Sequence, residues 1–267
     1  MAIPGAHNAG SYTLSPVARC QDGDMREQFN NGVRFFCVRL DTDKKGTIRL
    51  AHGPKLGDTL EKGLRDLRAA SDAAPNEFYI LDLRHYYRLK ILFLEFVPKA
   101  DPKAVDKLIS DILEPEKYAL SPDLDIKTVT MGDIRKSGKR FLLVNEFEDY
   151  DYSTNGYTLR PWTKKVHGMF PKNFVKEAPK FFDYNRSRGL YWAEMQLTAN
   201  FGTEIGLMNP AKQEKLLKPL VEEYLNNVKS VPERLSKVNI IGCDFLAKDS
   251  YKCEKIIALN ADKGLFN

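Results

Sequence analysis

Short, nearly uninterrupted apolar runs punctuate the chain, each bounded by turn residues: Val33 to Leu40, Ile48 to Ala51, Phe78 to Leu83, Arg140 to Val144, Leu190 to Gln196 and Val238 to Phe245. Strands buried on both faces read this way. Between them the apolar positions follow a helical period. Thr59 to Ser71 sets Leu60, Gly63, Leu64 and Leu67 on one face, and Lys103 to Leu113 does the same with Val105, Leu108, Ile109 and Ile112. Pro210 to Val228 predicts one long helix with its proline at an early position. Strand and helix in alternation predict βα units around a parallel sheet. Tyr150 to Tyr184, rich in Tyr, Pro, Phe, Lys and Asn, breaks the pattern and is expected to be a long loop on a barrel face, not a second domain. In such a barrel the chemistry sits at the carboxyl ends of the strands.

Composition narrows the class without changing it. At 267 residues, with 43% hydrophobic and 29% charged, the chain is globular and is expected to be a single domain over residues 1–267. A net charge of +5 with the signs interleaved carries no basic stripe, so no nucleic acid is expected, yet it suits an anionic membrane surface. No apolar run reaches the roughly 18 residues of a spanning helix. The expected state is a soluble monomer, peripheral to membrane, and secretion is favoured if an upstream leader was removed. Cys20, Cys37, Cys243 and Cys253 lack metal-ligand spacing; a Cys20 to Cys253 bridge is possible, but buried thiols are the simpler expectation.

Two of the four histidines, His7 and His52, follow apolar runs and sit among small residues, in IPGAHNAG and LAHGP, where a ligand can approach the imidazole. Alternation along GVRFFCVRLD puts Arg39 on the same face as Phe35 and Cys37. A guanidinium there either meets an anion such as phosphate or forms half of an ion pair with Asp41 or Asp82. Asp244 ends the late strand NIIGCDF, where a carboxylate can fix an imidazole tautomer or cap a turn. Two imidazoles, a guanidinium and an orienting carboxylate can run phosphoryl transfer by general acid and base without a metal.

These segments, with NEFYILDLRHYY and GKRFLLVNEF between them, resemble the X-region barrel of phosphatidylinositol-specific phospholipase C, in the same order. The resemblance implies a distorted parallel (β/α) TIM-like barrel that releases diacylglycerol and an inositol 1,2-cyclic phosphate from phosphatidylinositol or its glycosylated form. In matching positions His7 would take the proton of the inositol 2-hydroxyl, His52 would protonate the leaving oxygen, Arg39 would hold the phosphate and Asp244 would orient His7. Asn8, Arg84, His85, Asn145 and Trp192 would bind substrate. Where calcium-dependent members place carboxylates, this chain has Cys37, Arg39 and Arg84, so no metal and no other cofactor is expected. The secreted bacterial enzymes carry Asp after the first histidine; Asn8 and the Arg19-Cys20-Gln21 segment are more similar to the protozoan glycosylphosphatidylinositol branch.

Two expectations stay open at this level. A catalytically silent inositol-lipid-binding barrel is the alternative to the enzyme. The apolar stretch Tyr86 to Val97, with Trp162, Phe170 and Phe174, would be a membrane-contacting rim, or else that stretch is a buried helix of the barrel wall.

Overall fold

The computed structural model describes residues 1–84, 89–91, 94–96, 100–124, 126, 128–145, 152–154, 158–159, 170–183, 190–197 and 209–265. Its strands are β1 (Ile3–Ala6), β2 (Phe35–Thr42), β3 (Ile48–His52), β4 (Lys55–Thr59), β5 (Tyr79–Arg84), β6 (Leu89–Ile91), β7 (Leu94–Phe96), β8 (Phe141–Asn145), β9 (Ser153–Thr154), β10 (Thr158–Leu159), β11 (Leu190–Met195) and β12 (Ile240–Cys243). All six runs read as strands are strands, and a further one, β1, precedes them.

The main sheet runs β10, β11, β12, β1, β2, β5, β8, β9, every neighbouring pair parallel. Strands about 4.8 Å apart would put the edges of such a sheet roughly 34 Å apart if it lay flat. The edge strands β9 and β10 are separated by only three residues of chain, so Thr154 and Thr158 cannot be more than about 15 Å apart. The sheet therefore curls on itself into a distorted barrel. β9 bonds one neighbour and β10 the other, and both run the same way, as the two halves of one closing stave. Part of the expected loop from Tyr150 to Tyr184 is thus barrel wall, and Pro171–Glu177 with Ala178–Asp183 adds helical turns to it.

Alternation along the staves sorts side chains into two cores. Outward, Phe36, Val38, Leu81, Leu83, Leu143, Met195 and Ile241 pack against Leu64 and Leu67, Val105 and Ile109, Val221 and Val228, and Ile256 of the surrounding helices. Inward, Phe35, Ile80, Leu142, Trp192 and Ile240 fill the amino-terminal end of the barrel. Trp192 is wholly buried, its ring 4.8 Å from that of Phe35. The room for it comes from Gly242, where a Cβ would lie 2.4 Å from the indole nitrogen.

Three further expectations change. Ile48 to Ala51 is not a barrel stave: β2 overshoots the barrel, and its last residues pair antiparallel with β3, which turns back into β4. The long helix from Pro210 to Val228 is broken, because Pro219 has no N–H to donate and its ring clashes with the preceding turn; Pro210–Leu217 ends, a 3-10 turn covers Lys218–Leu220, and Val221–Lys229 resumes. Phe174 is no rim residue but fully buried, stacked against Tyr224 at 6.3 Å, whereas Phe170 is 82% exposed. Trp162 and the side chains of residues 86–97 lie outside the described residues; the backbone of β6 and β7 forms an antiparallel pair, not a helix. No described helix is long and apolar enough to cross a membrane.

Gly242→Ala drives a methyl group into the indole of the fully buried Trp192, and overpacking of this kind costs about 1–3 kcal/mol. The expected outcome is a lower urea midpoint with an unchanged slope.

Candidate active site

The inward face turns from apolar to polar towards the carboxyl ends of the staves, and the register of the first on the last decides what meets there. Ala6 pairs with Cys243, so the next residues along both strands, His7 and Asp244, stand side by side. His7 Nδ1 donates to Asp244 Oδ1 at 2.8 Å. That bond fixes the tautomer and leaves the Nε2 lone pair facing the site, where Asn8 Nδ2 donates to it at 3.0 Å. Asn8 holds this position in the left-handed region, at φ 47°, which an asparagine tolerates better than most residues. Beneath them Gln21 clamps the two strand ends: its amide donates to the carbonyls of His7 (2.8 Å) and Cys243 (3.0 Å) and accepts from Leu246 N–H (3.1 Å).

His52 arrives from outside the barrel, at the end of β3, and is brought over the mouth by the overshoot of β2. Its Nδ1 donates to the carbonyl of Ala18 at 2.6 Å, which points Nε2 away from that loop. The His7 and His52 rings are 6.3 Å apart, edge to face. Cys20 lies between them, its sulfur 3.7 Å from both His52 Nδ1 and Asn8 Nδ2.

Arg39 supplies the positive charge of the mouth. Desolvation pushes the His52 imidazole down to about 3, and the Arg39 guanidinium and His7 push the same way, so His52 is neutral in the free protein. Burial raises the Cys20 thiol well above its usual range, against the pull of Arg39. Burial likewise raises Asp244 well above the usual carboxylate range; Lys252 and Arg39 oppose this and Glu194 adds to it. Donor atoms of His7, Cys20 and Asp244 lie within 4.8 Å of one another, but they face each other in a hydrogen-bonded relay beside a guanidinium, a poor setting for a cation.

A polar belt continues the site across the barrel. Arg84 Nε donates to Asp82 Oδ2 at 2.7 Å, and its guanidinium lies 4.6 Å above the Trp192 ring. Glu194 follows Trp192 on the inner face of β11 and Gln196 lies just beyond the strand's end, both 2% exposed. Asp82 Oδ1 and both amide atoms of Gln196 have no hydrogen-bond partner among the described residues, which suits a hydroxyl-rich ligand.

Of the expected site residues, His7, His52, Arg39, Asp244 and Asn8 converge at one mouth. Arg84 joins the belt, and Trp192 is its buried floor. His85 and the side chain of Asn145 lie outside the described residues. Cys20, Gln21, Asp82, Glu194 and Gln196 are not among the site residues expected from the sequence, although a charged residue two positions beyond Trp192 in an otherwise apolar strand is a period-2 signal for the inner face. The four cysteines are free thiols, all buried.

No family model matches the chain. A curated relative, the variant-surface-glycoprotein phospholipase C of Trypanosoma brucei brucei, is 22% identical over 139 residues, 51% of this chain and 36% of the relative. The match thus spans about a third of the relative's length. Solved structures cover nearly the whole chain. The phosphatidylinositol-specific phospholipase C of Staphylococcus aureus superposes with a TM-score of 0.68 at 18% identity, covering 96% of this chain and 91% of that one. The enzyme of Listeria monocytogenes gives 0.63 at 19%, covering 97% and 93%. The fold is that of these barrels.

A neutral His52 beside Arg39 has a consequence for anion binding. A docked phosphodiester neutralises the guanidinium and raises His52, so binding takes up a proton between the free and bound pKa values, and affinity rises as pH falls through the bound value. Calorimetry of a soluble phosphodiester in buffers of different ionisation enthalpy is expected to show this uptake, and His52→Ala to abolish it.

Proposed function

We propose that this chain is a calcium-independent phosphatidylinositol diacylglycerol-lyase, working as one barrel domain at a membrane surface, and that the relay Asp244–His7 facing His52 across Arg39 is its catalytic centre. The observation that carries this reading is the pair of imidazoles 6.3 Å apart, His7 held by the buried Asp244 and His52 by the Ala18 carbonyl, with the Arg39 charge acting on His52 and Asp244. In-line displacement at phosphorus needs the entering and leaving oxygens on opposite sides. Rings 6.3 Å apart can each reach an oxygen of one phosphodiester through a hydrogen bond of about 2.8 Å.

His7 Nε2 takes the proton of the inositol 2-hydroxyl as that oxygen attacks phosphorus, and Asp244 stabilises the imidazolium through Nδ1. Arg39 balances the charge that develops on the phosphoryl oxygens. His52, protonated once the anion has arrived, gives its Nε2 proton to the departing glycerol oxygen. The O–P bond to diacylglycerol breaks, and the new O–P bond closes the inositol 1,2-cyclic phosphate. The belt of Asp82, Arg84, Glu194 and Gln196 has the donors and acceptors to hold inositol hydroxyls. Asn8 beside His7, and the trypanosome relative, support glycosylphosphatidylinositol as a further substrate.

Phosphatidylinositol vesicles in excess chelator are expected to release cyclic inositol phosphate. General acid–base steps contribute about 10²–10⁴-fold each, so His7→Ala or His52→Ala loses activity on that scale, and Asp244→Asn by roughly hundredfold or more, with folding retained. Vesicle binding without turnover, unchanged in His7→Ala, would establish the silent lipid-binding barrel instead; an absolute need for calcium would refute the metal-free mechanism.

A further inference from the structure

Behind the barrel wall, on the side of Asp244 away from the mouth, lies an ion pair that the chemistry above does not use. Lys252, in the first turn of the helix Tyr251–Asp262, is 3% exposed. Its ammonium donates to the main-chain carbonyl of Asp244 and pairs with Glu214 Oε1 at 2.9 Å. Glu214 comes from a different helix, Pro210–Leu217, and its side chain is itself 13% exposed. Burying two charges is unfavourable unless their surroundings compensate, and a carbonyl at a strand end needs only an N–H or a water. Placing a full positive charge there does more than satisfy the carbonyl.

The charges facing Asp244 show what it does. Arg39 faces it from β2, Glu194 from β11, His7 from the end of β1 and the Cys20 thiol from the loop after it, while Lys252, backed by Glu214, faces it from behind. Burial and Glu194 both favour the neutral acid. Arg39 opposes them in the free protein, but a bound phosphodiester takes up that charge. At the moment His7 must hold a proton, Lys252 is the remaining fixed cation on Asp244 among the described residues. We infer that Lys252, held by Glu214, is a positioning residue of this site: it fixes the strand end that carries Asp244 and keeps its carboxylate charged when the phosphate engages Arg39. The catalytic part of this inference rests on the lyase reading above.

The test uses the full chain. In Lys252→Met the acid limb of kcat against pH on phosphatidylinositol vesicles is expected to move up by about one pH unit, so activity lost at neutral pH returns on raising it, because an opposite charge within about 4–6 Å holds a carboxylate down by 1–3 units. Lys252→Arg restores the limb. Glu214→Gln, which leaves the ammonium unshared, moves the limb the other way; it carries the test if Lys252→Met does not fold. A lower Tm with an unmoved limb in both variants would overturn the inference. Titration of the His7 imidazole by NMR gives a reading that needs no turnover. In Lys252→Met the His7 pKa falls if Asp244 has lost its charge. A rise would show that Asp244 keeps it unaided, and would overturn the inference even if the wild type proved inactive on inositol lipids.

Discussion

One bond ties the chain into a machine: His7 Nδ1 to Asp244 Oδ1, across 237 positions of sequence. It exists because β1 lies parallel to β12 with Ala6 opposite Cys243, so the residues that leave the two strands emerge together. A slip of one residue would turn His7 outward into the helical layer and bring Cys243 or Phe245 inward. The register is held from several sides. The small Gly5 and Gly242 pair across the two strands, Gly5 against Ile240 and Phe35 and Gly242 against Trp192, Gln21 grips both strand ends, and Asn260 holds the amide and carbonyl of Ala2 at 2.6 and 2.8 Å. Packing below and hydrogen bonds around thus place an imidazole to within a bond length, a tolerance that proton transfer requires.

The electrostatics of the mouth follow from that placement. The barrel interior is apolar at one end and charged at the other, so every ionisable group at the boundary is partly desolvated and its state is set by its neighbours. His52 is neutral first because it is buried and further because a guanidinium acts on it, and Asp244 needs cations to stay charged. In the proposed mechanism an incoming phosphate anion offsets the guanidinium for both groups, raising His52 towards an acid and removing Arg39 from the charge balance of Asp244. On the proposed reading, the mouth is organised around a charge that arrives with the ligand.

The staves were legible because strands buried on both faces carry long apolar runs, and their inner ends could be searched for polar residues; His7, Arg39 and Asp244 follow directly. What escaped had local causes. The hairpin carrying His52 has the apolar run of a stave, and only Asp43 to Gly46 between two such runs marks a short turn, with Gly46 at φ 83°. The closing stave is only two residues long on each side of its break, too short for any period to show. Pro219 was visible but outweighed by the apolar period around it. Glu194 and Gln196 lie inside an otherwise hydrophobic run, and nothing around Lys252 in the sequence marks it as buried, because its burial depends on Glu214 packing from another helix.

Asn8 shows how a single substitution of type reshapes the free site. A carboxylate at that position could not donate to His7 Nε2, whereas the amide does, so the lone pair that the proposed mechanism uses as its base is occupied in the free site. In that mechanism the substrate hydroxyl displaces that donor. Asn8 Oδ1 has no hydrogen-bond partner among the described residues. A rotation of the amide would withdraw Nδ2 from His7 and offer Oδ1 to the hydroxyl that replaces it, aligning its proton with Nε2. The amide thus does by exchange of hydrogen bonds part of what a carboxylate would do by charge, and it adds no negative charge to a mouth that must admit a phosphate.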